Sequence, residues 1–306
     1  MVKYTLKRVV SSIITLLIVI TLIFFLMRLI PGGPFNDEKN MPPEVMERMM
    51  EHYHMNDPLF KQYVDYLKNL MKFDLGPSFS YTGRTVNEII KESFPVSAFV
   101  GSLAILISLA AGIPMGIVSA LHREKWQDNV VMILATLGVT VPNFVIATFL
   151  IYIFALKLGV VSVGLWEGIS TAILPALTLA GYPMAFISRL VRSSMLEVLQ
   201  QDYIRTARSK GLTEKVVIYI HALKNTLIPL VTYIGPLIAG ILTGSFVVEQ
   251  IFGMPGLGKY FVTSIQNRDY TMISGVTIFY STFLLIINLI TDILYGFIDP
   301  RIKLDS

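Results

Sequence analysis

Six apolar stretches, each long enough in helix to cross a bilayer, constrain this chain more than any other feature. A hydrocarbon core about 30 Å thick needs about 20 apolar residues in helix. The stretches Val9–Ile30, Ser97–Leu121, Val130–Leu156, Thr171–Val191, Thr226–Val248 and Ser274–Ile298 meet that length. Charged residues make up 15% of the 306, against about 25% for a soluble chain. Too little polar material is left to coat a water-facing globule. That excludes a soluble enzyme domain, a disordered chain and a compact nucleic-acid binder. The absence of cysteine excludes disulfides, thiolate metal sites and cysteine nucleophiles. The expected fold is an all-α polytopic membrane protein with six transmembrane helices.

Lys and Arg counts orient those spans. Residues 1–8, 122–129, 192–225 and 299–306 carry three, two, six and two, thirteen in all, whereas 157–171 and 249–273 carry one and two. Positive charge accumulates in cytoplasmic loops, so both termini and the 192–225 loop are expected in the cytoplasm. The first run, about 22 residues long, exceeds a signal-peptide core and reads as a retained span. The fourth is interrupted by Pro175, Gly181 and Pro183 and is expected in the bundle interior, where neighbours satisfy the freed carbonyls. Three parts follow: an N-terminal transmembrane helix over 1–31, a small extracytoplasmic helical lobe over 32–96, and a core over 97–306.

The lobe holds seven basic and ten acidic residues. Short helices are expected over Pro42–Tyr53 and Pro58–Lys72, the second capped by Asp57 and burying Phe60, Val64, Leu67 and Met71. His52 and His54 beside Glu51 lie two apart, on different helix faces, and no metal is expected there. The lobe reads either as packing material or as a landing surface for an external partner.

The 192–225 loop carries the strongest signal. Leu196, Leu199, Tyr203 and Ala207 share one helical stripe, Gly211 stops the helix, and Thr213 opens a second one with Val216, Ile220 and Leu223 on its apolar face. Two short amphipathic helices around a glycine turn form a knob suited to a groove in another protein; a basic loop lying on anionic lipid is the other reading.

Asp202-Tyr-Ile-Arg-Thr-Ala-Arg-Ser-Lys-Gly211-Leu, followed by His221-Ala-Leu-Lys-Asn225, resembles the coupling loop of permease subunits in ATP-binding-cassette importers, in the wording of the oligopeptide and dipeptide branch. Asp74-Leu-Gly-Pro-Ser78, Val248-Glu-Gln-Ile-Phe-Gly-Met-Pro-Gly-Leu-Gly258, Arg268-Asp-Tyr270 and Asp299-Pro-Arg301 resemble the B-type subunit of that branch, in order along nearly the whole chain. Of the family's general Glu-Ala-Ala…Gly pattern this chain keeps Ala207, Gly211 and Leu223 and puts Arg205-Thr206 where Glu-Ala is usual.

The resemblance implies a transport subunit, not an enzyme, in a prokaryotic cell membrane. It would pair with a second related permease, two cytoplasmic ATPases that bind the ATP and Mg, and an extracytoplasmic peptide-binding protein. This chain has no Gly-x-x-x-x-Gly-Lys-Ser/Thr loop, and no cofactor or nucleic acid is expected on it. Coupling to the ATPases would fall to Tyr203, Arg205, Thr206, Ala207, Arg208, Lys210, Gly211, Leu212, His221, Leu223 and Asn225. His221 reads equally as a helix-packing residue. Within the membrane, Asn143 and the span-five glycines Gly235, Gly240 and Gly244 are candidates for the pathway, although for the glycines helix packing is the preferred reading. Loop 249–273, with Glu249, Phe252, Pro255 and Gly256, is expected to fold back on the outer mouth as a plug or gate rim. Arg28, Arg189 and Asp292 form no chain across the bilayer, which argues against proton-driven transport. The alternatives are nickel or another small solute within the same branch, or a stand-alone secondary transporter or channel.

Overall fold

The computed structural model describes residues 2–30, 47–48, 50–51, 54–164 and 166–298. Among them no strand forms, and the one extended feature is an isolated bridge between Pro77 and Thr85. The helices are α1 (Val2–Leu29), α2 (Leu59–Met71), α3 (Val86–Leu121), α4 (Trp126–Thr140), α5 (Asn143–Lys157), α6 (Ile169–Val198), α7 (Asp202–Ser209), α8 (Glu214–Thr226), α9 (Ile228–Leu242), α10 (Phe246–Ile251), α11 (Leu257–Gln266) and α12 (Tyr270–Ile298).

Four helices are long and apolar enough to cross a membrane unbroken, and the count reaches six if each of two bent pairs is one span. The expected third span is one of those pairs. α4 and α5 meet at 107° because Val141, preceding Pro142, is pushed into an extended conformation that no helix can continue. The fifth is the other, with α8 and α9 meeting at 50°. It also ends earlier than expected: α9 stops at Leu242, Gly244 turns with φ +89°, and Phe246–Val248 belong to α10. Span four is unbroken through both its prolines and lies in the interior, half of it buried.

The bundle is built on α3 crossing α6. A β-carbon on Gly116 would stand 2.6 Å from the Ser188 carbonyl, and one on Gly138 of α4 would stand 2.8 Å from that of Gly181, so small residues from two helices let α6 sit between them. The start of α3 is fixed by a capping box between Thr85 and Glu88. α1 is mostly unburied; it lies along α12, where Arg8 pairs with Asp292 at 3.1 Å, and its C-terminal end carries the lobe.

The lobe departs from expectation in detail. Asp57 does not cap α2 but pairs with Lys61 at 2.9 Å, and Pro58 takes the N-cap position. The face of α2 turned to α1 is polar and aromatic. Gln62 accepts from the Arg28 guanidinium, the Tyr63 hydroxyl bonds that of Thr21 at 2.7 Å, and Tyr66 packs on Phe24. Phe60 and Met71 are exposed instead. Burial in that contact pushes the Tyr66 hydroxyl up to about 12. Most of Pro42–Tyr53, His52 included, and Asp299–Arg301 lie outside the described residues. Among the described residues no three His, Cys, Asp or Glu converge.

Candidate functional site

The knob over 202–226 is a hairpin of α7 and α8. α7 ends in a Schellman arrangement: Leu212 N–H donates to the Ala207 carbonyl and Gly211 N–H to that of Arg208. Gly211 sits at φ +80°, where a residue with a β-carbon is strained. Two side-chain clasps close the hairpin. Asn225 Nδ2 donates to the Tyr203 hydroxyl at 2.6 Å, and the Arg208 guanidinium forks onto Glu214 at 2.8 and 3.3 Å. Thr206 returns its hydroxyl to the Asp202 carbonyl.

The knob's buried face differs from the one read off helical periodicity. Residues 199–201 break the helix between α6 and α7, so Ile204 and Ala207 face inward while Tyr203 and Leu212 stay exposed. In α8, Val217–Ala222 adopt wider π-helical turns, which rotate Val217, Ile218 and Ala222 inward and leave Ile220 outside. Val216 and Leu223 are half-buried, as are His221 and Asn225. Ile204, Ala207, Val217 and Ala222 share one apolar core with Ile117 of α3, Ile187, Val191 and Met195 of α6, and Leu230 and Leu237 of α9. Arg205, Lys210 and Leu212 point outward. A few residues above, Arg192 of α6 grips the buried Asp128 carboxylate at 2.8 and 2.7 Å, with Ser119 Oγ and the Glu124 N–H donating to the same group.

The intramembrane candidates separate into two sets. Asn143, Gly240 and Gly244 line one cleft of about 500 Å3 with Leu179, Tyr182, Pro183, Tyr233, Pro236, Leu237, Ile241 and Ser245. Gly235 does not reach it. It faces α12, where a β-carbon would lie 2.4 Å from Thr291 Oγ1. One helix therefore uses Gly235 for packing and leaves Gly240 open to the cleft, with nothing within 4 Å of a β-carbon there. Tyr182 and Tyr233 were not singled out by the sequence; the signal was the nearby helix-interior prolines Pro183 and Pro236.

The 249–273 loop folds back on the bundle, but as a packed element. The Glu249 carboxylate, 3% exposed, accepts from Ser97 Oγ of α3 at 2.7 Å and from the Lys259 N–H at 2.9 Å. Burial raises its carboxyl above the usual range, against the lowering pull of these hydrogen bonds. Gly244, Gly256 and Gly258 leave room for it: β-carbons at the first two would stand 2.5 and 2.3 Å from its carboxyl group. Phe252 is buried against Val100, Ala104 and Leu174, and Leu257 against Val86, Met272 and Val276. Pro255 is exposed. Asp269, fully buried, joins this loop to the lobe by accepting from Ser78 Oγ, Ser80 N–H and Met272 N–H.

The comparisons with known proteins agree along the whole chain. The family described as binding-protein-dependent transport system inner membrane component matches residues 112–304, and its N-terminal part matches 1–104. The chain is 47% identical to the dipeptide transport system permease protein DppB of Bacillus subtilis, with 99% of each chain covered. It is 44% identical to the oligopeptide transport system permease protein OppB of Escherichia coli K12, covering 99% of this chain and 100% of the other. Among solved structures, a chain of the inward facing MetNI methionine ABC transporter superposes with TM-score 0.55 at 17% identity, over 69% of this chain and 96% of that one, a likeness of fold. The chain belongs to the family of binding-protein-dependent transport system inner membrane components.

Proposed function

We propose that this protein is the B-type permease subunit of an ATP-driven importer for dipeptides or oligopeptides. The full-length identity to DppB and OppB permeases carries this reading. The chain spans the cell membrane of a prokaryote six times, the bent pair α4–α5 making one crossing and α9, entered from the cytoplasmic α8, another, with both termini inside and 32–96 outside. Residues 1–31 form the first span and 97–306 the core. Its cleft is one half of a pathway completed by a second, related permease. Two cytoplasmic ATPases, which hold the ATP and Mg, receive the 202–225 knob in a groove; Tyr203, Arg205, Lys210 and Leu212 meet them, while Arg208, Asn225 and His221 keep the knob's shape. An extracytoplasmic peptide-binding protein docks on the joined lobe and 249–273 loop.

The rigid packing of the knob into the bundle core supports coupling, because a pushed knob moves the helices behind it. Gly211→Asp tests this: the subunit should insert and accumulate normally, yet ATP hydrolysis should no longer drive peptide uptake, or the ATPases should detach. Normal uptake with normal ATPase association would refute the role of the knob. Competition by di-, tri- and longer peptides and by nickel, in a strain lacking the native system, tests the substrate. Nickel alone competing would refute peptides.

A further inference from the structure

We infer that the cleft binds the main chain of its cargo through uncharged polar groups, among them a helix carbonyl that a proline has released, and that it is indifferent to cargo side chains. The inference rests on the peptide-import reading above and deepens it.

Prolines stand within two helices at the cleft, Pro183 in α6 and Pro236 in α9. A proline has no N–H, so neither can donate to the carbonyl four residues before it. Those carbonyls belong to Leu179, which lines the cleft, and to Thr232, which does not. In a membrane such groups are tolerated where they face a cavity that can satisfy them. The side chains repeat the pattern. The Tyr182 and Tyr233 hydroxyls and the Asn143 amide line the same cleft, and none bonds another described residue. Among the described residues no Asp, Glu, Lys, Arg or His lines it.

A wall of uncharged donors and acceptors between aliphatic patches suits one chemical class, a short extended peptide. Its N–H and C=O groups lose water on entering, and each left unpaired in an apolar surrounding is costly. Its side chains vary in charge and size, so a wall that carried charge would reject some of them. The tyrosine hydroxyls can donate or accept, the amide does both, and the released Leu179 carbonyl accepts.

The test is uptake by cells expressing this chain with its partner subunits, using tripeptides and analogues in which one internal amide is replaced by an ester, which removes an N–H and keeps the shape. The reading is the amide-to-ester uptake ratio in wild type, Pro183→Ala and Pro236→Ala. Both substitutions restore a helical N–H to the released carbonyl and occupy it, so neither weakens its helix. The wild-type ratio should exceed one, Pro183→Ala should lower it about threefold to tenfold, the worth of a neutral hydrogen bond, and Pro236→Ala, whose released carbonyl belongs to a residue outside the cleft lining, should leave it unchanged. The binding protein is the same in every strain, so a change in ratio belongs to the cleft. A ratio that stays at its wild-type value in Pro183→Ala, or that falls equally in both variants, overturns the inference even with overall uptake reduced. If wild-type cells import neither compound, the peptide-import reading itself falls, and the inference with it.

Discussion

Two alanine substitutions five residues apart on α9 should behave oppositely. In Gly235→Ala the new methyl would stand 2.4, 2.5 and 2.7 Å from Thr291 Oγ1, Cγ2 and Cβ. Thr291 cannot easily move aside, since it is β-branched and its hydroxyl is bonded to the Ile287 carbonyl at 2.8 Å. The helices must separate, and overpacking of this kind costs about 1–3 kcal/mol. Gly240→Ala meets nothing within 4 Å, and replacing a helical glycine there gains about 0.4–1 kcal/mol. Thermal unfolding in detergent, followed by the loss of monodisperse protein, should therefore rank Gly240→Ala at or above wild type and Gly235→Ala well below it. Thr291→Ala, which removes two of the three close atoms, should restore most of the loss in the Gly235→Ala background. Transport should divide the other way: Gly240→Leu, which fills the cleft, should block uptake in a stable protein. Equal destabilisation by the two alanines, or no rescue by Thr291→Ala, would refute the division of the glycines into packing and pathway.

Asp128→Ala should cost about 2–3 kcal/mol, the worth of hydrogen bonds to a charged group. That is below the figure for a fully buried pair, because Arg192 keeps a quarter of its side chain in solvent; detergent melting of the variant checks it. Glu249→Gln places an amide N–H2 where the carboxylate accepts two donors, and should lower stability by about 1–3 kcal/mol. Burial raises the Glu249 carboxyl, so the native state keeps its proton to higher pH than the unfolded state does. The associated stability is full at acid pH and is lost as pH rises through the raised value, a slope that Glu249→Gln should remove from the pH–stability profile. A single Cys at the exposed Asn56 should react with an impermeant thiol reagent added to intact cells; labelling only after lysis would overturn the topology.

Apolar length made the long helices legible, because twenty apolar residues in a row have few other fates, and the glycine turn at 211 was legible because a Schellman ending needs φ above zero. The faces of the short helices were not. In α8 a wider turn shifts which residues face inward, and nothing in Val216, Ile220 and Leu223 reports that shift. In α2 the inward face was missed because Gln62 and Tyr63 bury polar tips against α1, a pairing that depends on where Arg28 and Thr21 stand. The cleft was half legible. Asn143 and Gly240 suggested it, but Gly235 has the same spacing logic, and only the distance to Thr291 separates the two roles. Glu249 could be recognised as unusual, but its buried cradle requires Ser97 from another helix, 152 residues away in sequence.

The knob and the cleft meet in a single packed core, and that contact carries the last prediction. Leu237 belongs to the core that holds Ile204 and Ala207 of the knob, Tyr233 and Ile241 pack against it, and all three line the cleft. Phe186 of α6 stacks on Tyr233 with ring centroids 4.2 Å apart, which ties the wall of the cleft to the helix that leads into the knob. Packed cores move between discrete arrangements more readily than they deform, so a displaced knob should reposition the α9 wall as a unit. Ile204→Ala opens a cavity at the knob end of this core and Leu237→Ala one at the cleft end; each should cost about 2–4 kcal/mol in stability. In transport the two should not be independent. If both interrupt one mechanical path, the second substitution should reduce peptide uptake per ATP hydrolysed by less in the presence of the first than alone. A double-mutant cycle on that ratio measures the coupling directly. Additive losses would mean that knob and cleft act through separate routes, and the shared core would then be packing alone.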